Sequence, residues 1–264
     1  MTPIVGRKFN GLSTAGVAFP IRKHAVDLGR TDYTDAKIWR VAVAVALATH
    51  QQPPPQGPFD AIIADLALQG YAISIDFLPL ADQQNLLMHI QQLEQTQKMR
   101  TAGVGRGQDY QTNRFVRQDA IYWLEAHRAP DTLLLGPMEA LRLALNRALF
   151  LGLFDYEAHY AHYPIGGFYK THIDAFQGRS NRKLSTVYFI NPDWQPKDGG
   201  ALRLYQPESR QQVLCDILPQ AGTLVIFESE RFWHEVLPAQ RNRYSIAGWF
   251  RINTSTAHHL DPPR

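Results

Sequence analysis

The stretch "FYKTHID", residues 168 to 174, has the composition of a β-strand and carries a histidine and an aspartate two positions apart. It is one of several short runs rich in Tyr, Phe, Val and Ile that follow Leu153 and recur about every ten to fifteen residues between turn formers. The others are "YEAHYAHY", "KLSTVYFIN", "GALRLY", "QQVLCDIL", "GTLVIFES" and "RYSIAGWFRI". Strands that follow one another without helices between them predict a sandwich or jelly roll, not a parallel βαβ sheet.

Helical patterns lie upstream of these strands. "DAIIADLALQG" spaces its apolar residues at helical intervals and ends in glycine, and the strand-like "YAISIDFL" follows it. The two longer helix candidates are residues 79–99 and residues 131–152, the second interrupted by Gly136-Pro137. The predicted fold is therefore mainly β with flanking helices: a double-stranded β-helix, or jelly roll, whose core is buttressed by N-terminal α-helices.

A proline-rich segment divides the chain. "QQPPPQGP", residues 51 to 58, disfavours a helix and favours an extended linker. We expect residues 1–58 to be a loosely ordered leader and linker, residues 59–253 to form the functional domain, and residues 254–264 to be a tail. Within the domain, residues 59–152 would supply helical support and residues 153–253 the jelly-roll core.

Composition excludes several classes of protein. The formal charge of +3 comes from 27 basic and 24 acidic residues, too even a balance to point to nucleic acid. No continuous apolar run approaches the roughly 18 to 20 residues that span a bilayer. The single cysteine, Cys215, allows no internal disulfide, which fits a reducing compartment. We expect a cytoplasmic protein without a membrane partner.

His172 and Asp174 are candidate metal ligands. With 10 His and 24 acids in 264 residues, about one His-x-acid match is expected by chance, so the pair alone is a weak signal. On a strand, however, side chains at i and i+2 leave the same face and can converge on one ion. A second match, His259-Leu260-Asp261, falls in the terminal "AHHLDPPR" with no strand to hold it, and we interpret it as part of the tail.

His234, in "ESERFWHEVLP", is the candidate third ligand. A histidine beside aromatic residues is more often packed than metal-bound, and His234 alone would be weak evidence. Two imidazoles and a carboxylate on one face nevertheless form the set associated with ferrous oxygenases, which leaves coordination positions open.

Arg243 strengthens this interpretation. A cosubstrate that chelates iron through an α-keto acid has a second carboxylate at its far end, which a buried guanidinium can bind through two hydrogen bonds. Arg241 competes for this role but lies in the polar "AQRNR" turn. Arg243 begins the apolar strand "RYSIAGWF" and is the better candidate.

In these residues the chain resembles the 2-oxoglutarate and Fe(II)-dependent dioxygenases, and within them the prolyl 4-hydroxylases of the oxygen-sensing branch and their bacterial relatives. The similarity runs from about Phe59 to Asn253. It is carried by "HYPIGGFYKTHID", "LSTVYFINPDW", "DGGALRLY", "GTLVIFESERFWHEV" and "RYSIAGWF", and upstream by "GVGRGQDYQTNRFVRQDAIYWLE".

The resemblance implies roles for individual residues. His172, Asp174 and His234 would bind iron. In the cosubstrate site, Arg243 would bind the distal carboxylate of 2-oxoglutarate, Tyr163 would line the pocket and Trp249 would lie near the iron. Arg117, Asp119, Trp123 and Arg182 match positions that order a lid and contact substrate, and no catalytic residue is expected beyond the metal and cosubstrate ligands. One departure is Phe189, where close relatives have a tyrosine whose hydroxyl touches the cosubstrate. Ser245 or Thr171 could supply the missing hydroxyl.

The implied activity is hydroxylation of a prolyl residue in a protein, using Fe(II), 2-oxoglutarate and O2, with succinate and CO2 as coproducts and ascorbate as reductant. Elongation factor Tu is a candidate substrate by family resemblance. The alternatives are an oxygenase of the same chemistry that acts on nucleic acid or a free amino acid, and a non-catalytic metal-binding jelly roll.

Overall fold

The computed structural model describes residues 57–103, 115–175 and 180–254. Most of the predicted leader, the glycine-rich part of the predicted lid and the tail with His259 lie outside these ranges, so the proposed division of the chain stays a prediction. Among the described residues, no helix is both long enough and apolar enough to cross a bilayer.

Three α-helices precede or interleave with the first strands. They are α1 (Asp60–Gln69), α2 (Leu80–Gln95) and α3 (Ala129–Leu149). Helix α1 ends as the sequence indicates, because Gly70 adopts the left-handed conformation with φ of 82° and its N–H bonds back to Leu66. Helix α3 runs unbroken through Gly136-Pro137, so the interruption predicted there is wrong.

Eleven strands are present in the described residues: β1 (Tyr71–Ser74), β2 (Arg100–Thr101), β3 (Ala120–Trp123), β4 (Leu153–Tyr163), β5 (Tyr169–His172), β6 (Arg182–Phe189), β7 (Leu202–Tyr205), β8 (Val213–Ile217), β9 (Leu224–Glu228), β10 (His234–Val236) and β11 (Arg243–Ile252). Where the structure describes the chain, the last eight follow one another with only a short 3₁₀ turn, Pro196–Asp198, among them. The predicted strand around His172 is shorter than the sequence suggests and ends at that residue, so Asp174 lies just beyond it.

The strands form two antiparallel sheets. The major sheet has the order β1-β9-β6-β11-β4-β3-β2, and the minor sheet has the order β5-β10-β7-β8. Alternation along β11 divides its side chains between two layers. Tyr244, Ile246 and Phe250 join the large apolar cluster under the three helices, whereas Arg243, Ser245 and Trp249 line the cavity on the opposite face.

The space between the sheets is filled by apolar side chains at one end and forms a cavity at the other. Phe189, Val225 and Phe227 of the major sheet pack against Leu202 and Leu204 of the minor sheet. Farther along, the sheets enclose a cavity of about 1450 Å³. The prediction of a jelly-roll core buttressed by helices on one face is therefore confirmed, and the core positions the cavity between its two sheets.

Candidate active site

Strand pairing brings the two candidate histidines together. His172 ends β5 and His234 begins β10, and the two residues are direct partners in the antiparallel register. Their ring centroids are 4.2 Å apart. The chain between them crosses both sheets and returns, so two residues far apart in sequence become neighbours in the minor sheet.

Backbone carbonyl groups fix the orientation of both rings. Nδ1 of His172 lies 2.8 Å from the carbonyl oxygen of Lys170, and Nδ1 of His234 lies 3.1 Å from that of Phe232. A carbonyl oxygen only accepts, so each Nδ1 carries the proton and donates. In the neutral form of each ring Nε2 then has the free lone pair, which is the arrangement that metal-binding imidazoles adopt.

Asp174 faces both free nitrogens. Its Oδ1 is 3.7 Å from Nε2 of His172, and its Oδ2 is 3.6 Å from Nε2 of His234. The candidate ligand atoms of the three residues all lie within 4.8 Å of one another. Two imidazoles and one carboxylate arranged in this way fit a ferrous ion with open coordination positions.

The protonation states suit a cation. Burial, with the neighbouring His234 adding to it, lowers the pKa of His172 to about 3, so this ring is neutral at physiological pH. Burial alone would raise the pKa of Asp174, but His234, His172, the Arg182 guanidinium and the hydrogen bond from Ser185 together lower it. The carboxylate is therefore ionised and the imidazole is uncharged, as metal ligands must be.

Arg243 is a fully buried cation at the other end of the cavity, with 0% of its surface exposed. Its Nε donates to the carbonyl oxygen of Gly200 at 2.8 Å, and one terminal nitrogen donates to Ser245 Oγ at 3.2 Å. The other terminal nitrogen is buried without a partner, and no ion pair with Arg243 is found among the described carboxylates. Burial lowers the pKa of Arg243 to about 10, which still leaves it charged at neutral pH.

Aromatic rings and a glycine shape the space around this guanidinium. Tyr163 is the cross-strand partner of Arg243, and the guanidinium carbon lies 5.1 Å from the ring centroids of both Tyr163 and Phe189. Gly200 has φ of 66°, and a Cβ there would stand 3.2 Å from Arg243 Cδ. A buried cation with an unused donor in an apolar pocket fits an anionic ligand such as a carboxylate.

The structure separates Arg241 from this pocket. Its side chain is 41% exposed, pairs with Asp198 at 3.5 Å and lies over Trp194. Of the two hydroxyl groups that could stand in for the one missing at Phe189, Ser245 contacts Arg243. Thr171 instead donates to Glu235 on the minor sheet at 3.0 Å.

Trp249 and Arg182 lie together at the opposite end of the cavity from Arg243. The Arg182 guanidinium stacks 3.4 Å from the Trp249 ring centroid and donates twice to Glu157. Trp123 lies 6.5 Å from Trp249 between centroids and is 37% exposed. These side chains form an entrance wall with one exposed aromatic face.

Arg117 and Asp119 form a second buried pair beside the metal-site candidates. Arg117 donates twice to Asp119 at 2.7 and 2.5 Å and once to the Gly103 carbonyl oxygen. Burial alone would lower the pKa of Arg117, but the bond to Asp119 raises it. The guanidinium lies 4.4 Å above the Tyr169 ring, which in turn stacks on His172 at 3.6 Å. The pair therefore links Gly103 to the Tyr169 ring beside the candidate metal ligands.

Three polar residues of the site carry no motif that sequence reasoning could detect. Ser185 donates to Asp174 Oδ2 at 2.6 Å, and Ser229 contacts Ser185 at 2.8 Å. His159 is buried between Trp123 and Trp249. Their inward direction follows from strand alternation, but their partners depend on which strands pair.

The comparisons with known proteins agree with this geometry. Residues 158–251 match the family described as the 2OG-Fe(II) oxygenase superfamily. The crystal structure of a Pseudomonas putida prolyl-4-hydroxylase is 37% identical, covers 74% of this chain and 100% of that chain, and superposes with a TM-score of 0.68.

Animal proteins are similar over a comparable region. Egl nine homolog 1 of Rattus norvegicus is 31% identical over 198 residues, which are 72% of this chain and 57% of the relative. The hypoxia-inducible factor prolyl hydroxylase of Caenorhabditis elegans is 34% identical over 150 residues, which are 51% of this chain and 20% of the relative. The chain spans about half the length of the Egl nine relatives that it matches. With the bacterial hydroxylase matched along its whole length, the chain belongs to the 2OG-Fe(II) oxygenase superfamily, among its prolyl hydroxylase-like members.

Proposed function

We propose that this protein is a 2-oxoglutarate-dependent dioxygenase that hydroxylates a prolyl residue in a protein substrate. The observation that carries the proposal is the buried Arg243, a charged group with an unused donor and no described carboxylate partner, in the same cavity as the histidine and aspartate cluster. A site of this kind requires a small ligand with one end suited to a metal and an acid at the other end. 2-Oxoglutarate has both.

In this proposal, His172, Asp174 and His234 hold Fe(II) through the two free Nε2 atoms and the carboxylate. When bound, iron and 2-oxoglutarate supply the oxidising power that inserts an oxygen atom from O2 into a C–H bond, with succinate and CO2 as coproducts. Arg243 binds the distal carboxylate through its unused nitrogen, and Ser245 keeps the guanidinium in place. Ascorbate as reductant and a cytoplasmic location remain expectations from the resemblance and the composition.

The chain's apolar residues would keep the site dry. Val236 and Leu202 of the minor sheet and Val187 of the major sheet line the cavity. Water excluded by these walls cannot compete for the Arg243 guanidinium, so each charged hydrogen bond there is stronger than it would be in solvent. The wall formed by Trp249, Trp123 and the paired Arg182 would receive the target residue.

A protein substrate is favoured over nucleic acid by the charge pairing at the entrance. Arg117 and Arg182 are each bound to an acid, Asp119 and Glu157 respectively. Neither is therefore available as an uncompensated cation for a phosphate backbone, on which affinity for nucleic acid depends. Elongation factor Tu is the finer substrate hypothesis, and it rests on family resemblance.

The proposal is tested by incubating the purified protein with Fe(II), 2-oxoglutarate, ascorbate and candidate proteins that include elongation factor Tu. Tandem mass spectrometry should locate one added oxygen atom on a prolyl residue. The modification should be absent with the His172→Ala variant, which lacks a metal ligand. An oxygen located only on residues other than proline, or no oxygen on any candidate despite 2-oxoglutarate turnover, would count against prolyl hydroxylation.

A further inference from the structure

Asp174 is held differently from the two histidines. The ring orientations of His172 and His234 are each fixed by the backbone carbonyl group two residues earlier, that of Lys170 and that of Phe232. Strand β5 ends at His172, so the ladder of backbone hydrogen bonds does not extend to Asp174. A carboxylate beyond the end of a strand can rotate about its side-chain bonds, and its direction must come from a side-chain contact.

Ser185 supplies that contact. It lies on β6 in the interior of the major sheet, is 1% exposed, and donates to Asp174 Oδ2 at 2.6 Å. A carboxylate has no proton to give, so Ser185 must be the donor. The contact joins a flexible carboxylate to a strand with a partner on each side, β11 and β9.

Ser229 extends the contact by one step. Its Oγ lies 2.8 Å from Ser185 Oγ, and it is 0% exposed. Because the single hydroxyl proton of Ser185 is used on Asp174, the proton between the two serines belongs to Ser229. The direction of donation is therefore Ser229 to Ser185 to Asp174. The backbone of Ser229 is itself fixed, since its N–H donates to the Lys183 carbonyl oxygen at 3.1 Å.

We propose that Ser185 and Ser229 are positioning residues, a two-hydroxyl relay that orients the Asp174 carboxylate for the metal ion. Donation from Ser229 polarises the Ser185 hydroxyl and strengthens its bond to Oδ2, since hydrogen bonds in a chain reinforce one another in a dry interior. Oδ2 is engaged by Ser185, and Oδ1 is the oxygen with no other described partner besides the His172 ring. The inference rests on the proposed role of the three ligands.

The test measures Co(II) binding to metal-free protein by titration calorimetry, with no 2-oxoglutarate and no substrate present. Ser185→Ala should weaken Co(II) affinity by about tenfold or more, the usual effect of removing a hydrogen bond to a metal ligand. Ser229→Ala should weaken it by a smaller factor, because Ser185 still donates. Ser185→Thr, which keeps the hydroxyl, should bind Co(II) nearly as the unaltered protein does.

Thr186→Val is the matched control. Thr186 is the next residue of β6, is equally buried and has its hydroxyl bonded to Tyr156 at 2.8 Å, and by strand alternation its side chain leaves β6 on the face opposite to that of Ser185. The control should lose comparable stability and keep its Co(II) affinity. The visible absorption of bound Co(II) should change in Ser185→Ala at saturating metal and stay unchanged in Thr186→Val.

Equal affinity and equal spectra in Ser185→Ala and the unaltered protein would overturn the proposal, as would an equal loss of affinity in Thr186→Val. If Ser185→Ala does not fold, Ser229→Ala decides, because it leaves the contact with Asp174 in place; an unchanged affinity there would remove Ser229 from the relay. The readout is metal binding alone, so a failure to find prolyl hydroxylation would not alter it.

Discussion

Arg243 is the one side chain proposed to pair with the distal carboxylate of the cosubstrate. Its guanidinium is buried, bonded to Gly200 and Ser245, and left with one unused nitrogen. Replacing it by a neutral residue removes the only buried cation that the described residues place in this end of the cavity. The carboxylate of 2-oxoglutarate would then be buried without a counter-charge.

We therefore expect Arg243→Gln to weaken 2-oxoglutarate binding by about thirtyfold or more, equivalent to roughly 2 kcal/mol for removing one partner of a buried charge pair. Titration calorimetry with Mn(II)-loaded protein measures this without turnover. Arg241→Gln is the control and should bind normally, since Arg241 lies on the surface beside Asp198. Loss of affinity in Arg241→Gln with normal affinity in Arg243→Gln would reverse the assignment.

His159 gives the stability of the metal-free protein a dependence on pH. Burial, with Arg117 adding to it, lowers its pKa from 6.5 to about 4. As the pH falls below 6.5, His159 becomes protonated in the unfolded chain, whereas in the folded protein it stays neutral until about pH 4. The contribution of His159 to stability is therefore fully present above pH 6.5 and is lost as the pH falls to 4, by about 3 kcal/mol in all.

Urea unfolding of the His159→Phe variant, with a chelator present to keep the protein metal-free, should reveal this pH dependence. Between pH 6.5 and pH 4, the free energy of unfolding should fall less steeply in the variant than in the unaltered protein. The phenyl ring retains packing against Trp123 and Trp249. His127→Phe is the control, because His127 is on the surface with 76% of its side chain exposed. Parallel profiles for His159→Phe and the unaltered protein would contradict the assignment.

Some residues of the site are recognisable in the sequence because their type and their position on a strand indicate metal or acid binding. His172 and Asp174 share a two-residue spacing, and Arg243 begins an apolar strand. Ser185 and Ser229 could not be found in this way, because serine is common on strands. Their function depends on the pairing of β6 with β9, which no local pattern specifies.

Gly248 lies in a closely packed part of strand β11. A Cβ at this position would stand 2.5 Å from Tyr156 Cζ and 2.9 Å from Ala158 Cβ, and it would overlap the Tyr156 hydroxyl. Tyr156 cannot easily move, because its ring packs on Phe250 and its hydroxyl bonds to Thr186. The glycine is therefore required by space and not by backbone conformation.

Gly248→Ala should destabilise the protein by about 2 kcal/mol, since an added methyl group in a close-packed layer forces its neighbours to shift. The measurement is a double-mutant cycle with Tyr156→Ala, followed by chemical unfolding. Removing the ring makes room for the new methyl group, so the double variant should lose less stability than the two single variants together. Strict additivity would show that Tyr156 is not the obstacle.

Helix α3 shows why a local helix-breaking signal failed. Gly136-Pro137 predicts an interruption, because proline removes a helical hydrogen bond and its ring restricts the preceding residue. Gly136 has no Cβ to meet that ring. Leu134, Met138 and Leu141 are fully buried on one face of the helix. Their burial offsets the cost of the proline, and such burial depends on the sheet against which the helix packs.

The layered architecture of the molecule could be predicted because short aromatic strands follow one another after Leu153. Strands with no helices between them must fold back on one another, and upstream helices must cover an apolar face. The pairing order could not be predicted. Strand β1 forms one edge of the major sheet and pairs with β9, which lies about 150 residues later in the sequence. The periodicity of a sequence contains no information on such distant partners.

In the proposed site, side chains from two separate segments of the chain hold one metal ion, while Arg243 holds the acid of a cosubstrate. A crystal structure of the protein with Mn(II) and an inert analogue of 2-oxoglutarate would show both contacts at once. The predicted result is a single ion bound by Nε2 of His172, Nε2 of His234 and the Asp174 carboxylate, with the distal carboxylate of the analogue on Arg243. An ion bound elsewhere, or a distal carboxylate on Arg241 or in solvent, would contradict the account.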